Sequence, residues 1–418
     1  MYRFSLALVL SLTVVSNSVQ SADVETPSVE EQSTHQQTSI IKMVDEKTPL
    51  KINAFCLNGD GHIVAVCGNG PGEVRIINDD GKILRSWETD VKPEAVNVAD
   101  DGTVLVGGEG KLFRFDAAGK ELQQAEAPHA HALRTDTAEL RKQAIARLSQ
   151  QNNTNALSVR ITVYEKVIAQ LEEKGKKTEL NDQEMRMLEV LPKTLATFRE
   201  QYAKEAEESG DKQDGPSEER IQAYIKSLIA SKMRISSVSS SGDHVFVATR
   251  STAGYGYDIW RTDDEFSNSK VIVTGLRGCC GQMDVQCCKN GVFVAENSRH
   301  RVVRYDIEGE EVASWGSRDR EGVDGFSSCC NPMNVCFNGS GDVFTAESGT
   351  GRIKRFSAKG DFVGYVGDVN LVPGCKNVSI AVSPNTDKVY MLDLTRNHIV
   401  MMQAKPSDSE TSSDSVGG

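Results

Sequence analysis

The sequence predicts a mainly β fold, a six-bladed β-propeller carrying an α-helical, coiled-coil-like insertion between blades two and three. Three observations lead there. A unit of about 40 residues recurs, the length and strand content of one propeller blade. One copy reads MDVQCCKNGVFVAENSRHRVVRYDIEGEEVASWG (283–316) and the next MNVCFNGSGDVFTAESGTGRIKRFSAKGDFVGYVG (333–367). Each holds short apolar runs divided by Gly turns and lacks helical period, a strand pattern. Looser copies follow the same grammar at 52–87, 92–122, 234–274 and 375–402, which makes six. Third, residues 135–232 change composition to Glu, Lys, Ala, Gln and Leu, with few Gly or Pro.

Taken in order, residues 1–21 read as a secretory signal peptide. Arg3 supplies the positive start, Phe4 to Val15 the apolar run, and cleavage is expected after Ser21 or Ala22. The run is shorter than the roughly 20 residues a spanning helix needs, so no membrane span is expected once the signal is removed. The protein is therefore expected to be exported, to a periplasm or to the outside. Residues 22–38 are polar and aperiodic and read as a flexible leader. Residues 39–132 carry a lone strand, Ser39 to Val44, and blades one and two. Blade six has only three clear strands, so the lone strand is expected to complete it and hide the open sheet edge. The insertion is assigned to 133–232, as three or four amphipathic helices. Leu140, Ala144, Leu148 and Val159, Val163, Ile168, Leu171 show helical spacing. Asn181 with Glu184, and Ser217, read as helix starts. Blades three to six occupy 233–405, and 406–418 reads as a disordered tail rich in Ser and Asp.

The 418-residue chain has a formal net charge of −12, which argues against a nucleic-acid partner. Its repeats share P-x-x-V, G-x-[VI]-x-V-A-[DE], N-x-R-[VI] and aromatic-Asp-x-x-Gly. Lys92-Pro93-Glu94-Ala95-Val96, Val294-Ala295-Glu296 with Arg301 to Asp306, and Ala346-Glu347 with Gly351-Arg352-Ile353 carry the pattern. In this it resembles the NHL-repeat propellers. The resemblance implies the fold; the family spans lyases, hydrolases and pure binding modules, so it implies no single activity.

Ten cysteines in an exported chain make disulfides the default. The repeat alignment places them more finely. Cys280, Cys330 and Cys375 each stand three residues before the start of an inner strand, on blades four, five and six, with Cys279 and Cys329 as immediate neighbours. These five are expected to ring one mouth of the central channel. Cys56 and Cys336 match at the inner strands of blades one and five, with Cys287 and Cys288 close to the equivalent place in blade four. At about 3.3 Å per residue this second set lies on the order of 20 Å from the first along an extended strand. Disulfides between strictly equivalent positions on adjacent blades are marginal, because Cα atoms must come within about 7 Å; the doubled cysteines relax that limit, so that Cys279 can reach Cys330 or Cys375, or a strained vicinal bridge can form. Thiolate ligation of copper, zinc or an iron–sulfur cluster is the second reading, and inert packing the third. No C-x-x-C, C-x-x-C-H or zinc-finger spacing is present.

Glu296, Glu347 and Asp393 share one blade position. In lactonases and lyases of the resembled family, acids and histidines at the channel mouth hold Ca²⁺ or Zn²⁺. The plainer expectation is that each acid anchors the next polar turn, with Arg301, Arg352 and Arg396 as salt partners. Asp284 and Asn334 match one another, as polar channel residues that bond each other, water or a ligand. His129 and His131 form H-x-H, which on a strand puts both on one face. The function expected is a binding or scaffold module, its protein or small-molecule ligand taken at a propeller mouth or at the helical insertion. The alternatives are a metal- or cluster-dependent redox protein built on the cross-blade cysteines and a metal-dependent lactonase or lyase.

Overall fold

The computed structural model describes residues 32–43, 49–153, 156–208, 216–319, 322–327, 329–372 and 374–406. The expected signal peptide, most of the expected leader, and the chain beyond Pro406 lie outside the described residues.

Among the described residues the strands form six four-stranded antiparallel sheets. β1 (His35–Ile41) comes first in the chain but belongs to the last sheet. Blade one is β2 (Ile52–Leu57), β3 (Ile63–Cys67), β4 (Gly72–Ile77) and β5 (Ile83–Thr89). Blade two is β6 (Ala95–Val98), β7 (Val104–Gly108), β8 (Lys111–Phe115) and β9 (Glu121–Glu126). The helices α1 (Pro128–Thr135), α2 (Thr137–Asn153), α3 (Ala156–Lys177), α4 (Asp182–Glu208) and α5 (Glu218–Lys232) follow. Blade three is β10 (Ile235–Ser241), β11 (His244–Arg250), β12 (Tyr257–Asp263) and β13 (Lys270–Leu276). Blade four is β14 (Asp284–Cys288), β15 (Gly291–Glu296), β16 (Arg301–Tyr305) and β17 (Glu311–Trp315). Blade five is β18 (Asn334–Phe337), β19 (Val343–Ala346), β20 (Arg352–Phe356) and β21 (Phe362–Asp368). Blade six is β22 (Ile380–Val382), β23 (Val389–Asp393) and β24 (His398–Ala404), with β1 as its fourth strand.

The inner strands β2, β6, β10, β14, β18 and β22 touch in sequence, and β22 meets β2 to close the ring. Between every pair of neighbouring blades lies an apolar cluster drawn from both. Phe344, Val366, Met391 and Met402 join blades five and six, for example, and Phe55, Ile63, Tyr390 and Ile399 join six and one. Middle strands such as β3 and β7 are buried along their whole length because sheets cover both faces. Outer strands such as β9 alternate or face solvent.

The closing strand differs from the sequence expectation in its start. β1 begins at His35, inside the stretch expected to be a flexible leader, and pairs antiparallel with β24 from His35↔Ala404 to Ile41↔Ile399. An outermost strand needs only its backbone to pair, so the exposed Gln36 and Gln37 take part without an apolar pattern, and the register shifts at Thr38. Thr34 N–H extends the contact to the Tyr365 carbonyl of blade five.

The insertion also begins earlier than expected, at Pro128 rather than 133, and has five helices among the described residues. The proline at the helix start, where no N–H is needed, accounts for the earlier start. α2 and α5 bury Leu140, Ala144, Leu148, Ile221 and Ile225 together with Leu133 of α1. α3 and α4 pack on each other as a hairpin, opened by a capping box in which Glu184 N–H donates to Asn181 Oδ1 (2.9 Å) and Asn181 N–H to Glu184 Oε2 (3.2 Å). Val159 and Val163 of that hairpin are exposed. Lys232, at the end of α5, is buried and donates Nζ to the Ser251 and Gly254 carbonyls, fastening the insertion to blade three. Burial lowers its pKa to about 8.

Removing residues 1–43 deletes β1 and bares the β24 edge. The shortened chain is expected to melt at least about 5 °C below a chain that keeps β1 in a thermal scan and to associate with rising concentration. An unchanged midpoint would show that the ring does not depend on this strand.

Candidate functional site

The loops that lead into β14, β18 and β22 carry Cys279-Cys280, Cys329-Cys330 and Cys375. Their sulfurs form a continuous chain: Cys279 to Cys280 at 3.5 Å, Cys280 to Cys330 at 3.6 Å, Cys330 to Cys329 at 3.1 Å, and Cys329 to Cys375 at 3.1 Å. These separations exceed the about 2.05 Å of a disulfide. They approach the about 3.8 Å edge of a tetrahedron of sulfurs 2.3 Å from a zinc ion. Cys330 is buried, while Cys280, Cys329 and Cys375 reach solvent. The count is odd, so the cluster cannot be consumed by disulfides within itself.

The surroundings raise the pKa of three of these thiols, Cys280, Cys330 and Cys375. Burial, then the neighbouring sulfurs, push the Cys330 thiol well up. Burial and the Cys279 sulfur push Cys280 up to about 12. Cys375 is raised first by its contact with Cys329 and then by burial. Five thiolates this close repel, so a cation is what would let them ionise together.

Two of the three acids position these loops. Glu296, fully buried at the end of β15, accepts from Arg277 N–H (2.9 Å), two residues before Cys279. Glu347, fully buried just after β19, accepts from Ser327 N–H (3.1 Å), two residues before Cys329. Asn297 continues the support: its Oδ1 accepts from Cys279 N–H (2.8 Å), and its Nδ2 donates to the Gln282 carbonyl (3.1 Å). Gln282 then pairs with both backbone groups of Val378, across the ring on blade six. The turn itself is left-handed at Cys280 (φ +56°) and Gly281 (φ +76°), a reversal that glycine makes easier. In blade six Asp393 instead accepts from Thr395 N–H and Arg396 N–H, both at 3.0 Å, and caps its own turn.

The salt partners are Arg301 for Glu296 (2.7 Å) and Arg396 for Asp393 (2.9 Å). Arg352, the expected partner of Glu347, is not its ion pair. Lys354 is, at 2.5 Å, with both side chains wholly buried. All three carboxylates are thus engaged by backbone amides and cations, which leaves them poorly placed as a Ca²⁺ site. Among the described residues, no group of three candidate ligand atoms includes any of them.

The second cysteine set does not form a unit. Cys56, Cys287 and Cys336 border the central cavity, of about 480 Å³, but Cys288 does not. Each of the four packs against a different apolar cluster, Cys288 against the one that contains Phe293. Burial raises all four thiols, Cys56 and Cys287 to about 12, as befits small apolar fillers. Cys67 is buried at the end of β3.

Asp284 and Asn334 do not bond one another. Asp284 accepts from Val335 N–H of blade five (2.8 Å) and from Ser237 O–H of blade three (2.8 Å). Asn334 Oδ1 accepts from Ile380 N–H of blade six (2.9 Å). Both join blades while lining the cavity. His129 and His131 lie on α1, where neighbours two apart diverge. His129 is buried with Nε2 3.3 Å from the Met233 carbonyl, its pKa lowered to about 4 by burial, and His131 is exposed.

No protein-family model matches the chain, and no curated protein matches it in sequence. Similar solved structures include a virginiamycin B lyase from Staphylococcus aureus, 9% identical, covering 88% of this chain and 99% of that one, with a TM-score of 0.42. The Pan2 WD40 domain of Neurospora crassa is 8% identical over 91% and 98%, TM-score 0.43. A Bacteroides caccae protein of unknown function is 12% identical over 77% and 83%, TM-score 0.40. At this level of likeness nothing about ligand or activity follows for this chain, and the propeller rests on its own sheet topology.

Burial holds the Asp284 carboxyl up to about 6, against about 3.9 in an unfolded chain. The folded protein therefore keeps a proton that the unfolded chain has released. That contribution to stability is complete below about pH 4 and is lost as the pH rises through about 6. Compared with Asp284→Asn, the wild type is expected to lose about 2 kcal/mol between pH 4 and pH 7 in denaturant titrations. Parallel curves would contradict it.

Proposed function

We propose that this chain is an exported, NHL-like propeller that serves as a binding module, and that its ligand at the cysteine rim is a soft, thiophilic metal ion. The observation behind this is the chain of five sulfurs, drawn from equivalent loops of three blades and spaced at 3.1–3.6 Å. Thiolates select Cu(I), Zn²⁺ or iron–sulfur centres over hard cations. The loops are pre-positioned by Glu296, Asn297 and Glu347, so little ordering is left for binding to accomplish. The apparatus of a hydrolase is less favoured, since the acids that such a reading needs are spent on loop anchoring and salt pairs. Binding without chemistry is the simpler role.

Export is proposed on the N-terminal sequence pattern alone. No described helix is long and apolar enough to cross a membrane.

The test is elemental analysis with thiol counting on the mature chain purified without reductant. Stoichiometric copper, zinc or iron is expected, with five thiols becoming reactive only after a chelator is added. A metal-free protein whose rim thiols appear only after reduction would replace this reading with a disulfide-braced scaffold.

A further inference from the structure

We infer that the rim holds two thiophilic d10 cations, Cu(I) or Zn²⁺, that share the Cys330 thiolate as a bridge. This rests on the metal-binding reading above and goes further in stating how many ions are held and which sulfur joins them.

The five sulfurs fall into two sets of three, Cys279–Cys280–Cys330 and Cys329–Cys330–Cys375. Within each set every sulfur lies within 4.8 Å of the others. The sets have one member in common. A single tetrahedral ion takes four sulfurs and would strand the fifth, whereas two ions with three sulfurs each use all five if one is shared. The shared sulfur is the buried one, at 1% exposure, and the ends of the chain are more open. A thiolate has more than one lone pair to give, so it can serve two cations. A bridge placed in the dry centre with open ligands outside leaves each cation a solvent-facing side, where a water or a partner's donor atom could complete the shell of a zinc ion.

Loading is proton exchange and involves no redox step. Each S–H bond breaks, its proton passes to solvent, and the sulfur's electron pair forms the bond to the metal. Five thiolates against two Zn²⁺ leave one net negative charge, and against two Cu(I) three. Loading with Zn²⁺ is therefore easier to neutralise, and loading with Cu(I) better matches three-sulfur sets.

The roles of the vicinal cysteines follow. Cys279 and Cys280 serve the blade-four side of the bridge. On the other side Cys329 and Cys330 come from blade five and Cys375 from blade six. Each ion thus ties two blades together.

The experiment titrates the reduced full mature chain, without oxygen, with Zn²⁺ and separately with Cu(I), counting bound ions by native mass spectrometry. Two ions per chain are expected with at least one of the metals. Cys330→Ser, which removes a ligand from both sets, is expected to weaken both ions at least 10-fold. Cys279→Ser and Cys375→Ser are each expected to weaken one ion and leave the other at wild-type affinity. Those two sites are not in the dry centre, so they carry the test if the buried Cys330→Ser variant fails to fold. One ion per chain would overturn the bridged pair and leave the metal-binding reading standing. So would equal loss of both ions in Cys279→Ser. Binding of neither metal to a folded, reduced chain would overturn both.

Discussion

The ring is held in register by one contact repeated with different residues: a polar side chain beside one inner strand bonds the backbone of the next. Asn53 donates to the Pro93 carbonyl between blades one and two (2.8 Å). Glu94 accepts from Ile235 N–H between two and three (3.0 Å), and Ser236 from Met283 N–H between three and four (2.6 Å). Asp284 and Asn334 make the next two joints; between six and one the bond comes from a different place, as Asn397, in the turn before β24, accepts from Ile52 N–H (2.8 Å). Each such bond contributes only about 1 kcal/mol net, less than the apolar clusters beside it. Its value is directional. Apolar packing tolerates a sliding blade, whereas an amide left without its acceptor in this setting costs about 1–3 kcal/mol.

That registration is why the cysteines meet. The loops ahead of β14, β18 and β22 enter the ring at equivalent places, so residues at one repeat position are carried to one side of the axis. Glu296 and Glu347 then set the height of the loops by gripping the amide two residues ahead of each vicinal pair. The fold thus does for cysteine what it does for apolar residues: it converts a sequence period into a spatial cluster. The same period sends Cys56, Cys287 and Cys336 to the cavity wall at separate joints, where each fills its own space.

The blades were legible because Gly turns and alternating apolar runs repeat at nearly constant spacing. What escaped the reading were features whose cause lies outside the local pattern. β1 starts at His35 because the bare edge of β24 recruits backbone, and polar side chains there carry no signal. The anchoring role of Glu296 and Glu347 was half visible: the acid position was clear, but the amides they hold lie about twenty residues earlier in the chain. Lys354 had a signal that could have been read. It stands where the neighbouring blade has the buried Val303, and a lysine at an apolar repeat position calls for a buried anion. The cysteine rim itself could be assembled from the alignment, but its sulfur spacing could not, since that depends on the left-handed turn at Cys280 and on Asn297.

The central claim is that one rim, built across three blades, is a single metal-binding unit. Alkylation footprinting read by peptide mass spectrometry tests it most directly, comparing the metal-loaded chain with the same chain after chelation. The account predicts metal-dependent protection at Cys279, Cys280, Cys329, Cys330 and Cys375, with no metal-dependent change at Cys56, Cys67, Cys287, Cys288 or Cys336. Protection confined to one blade, or metal-dependent protection that included Cys287 or Cys336, would contradict it.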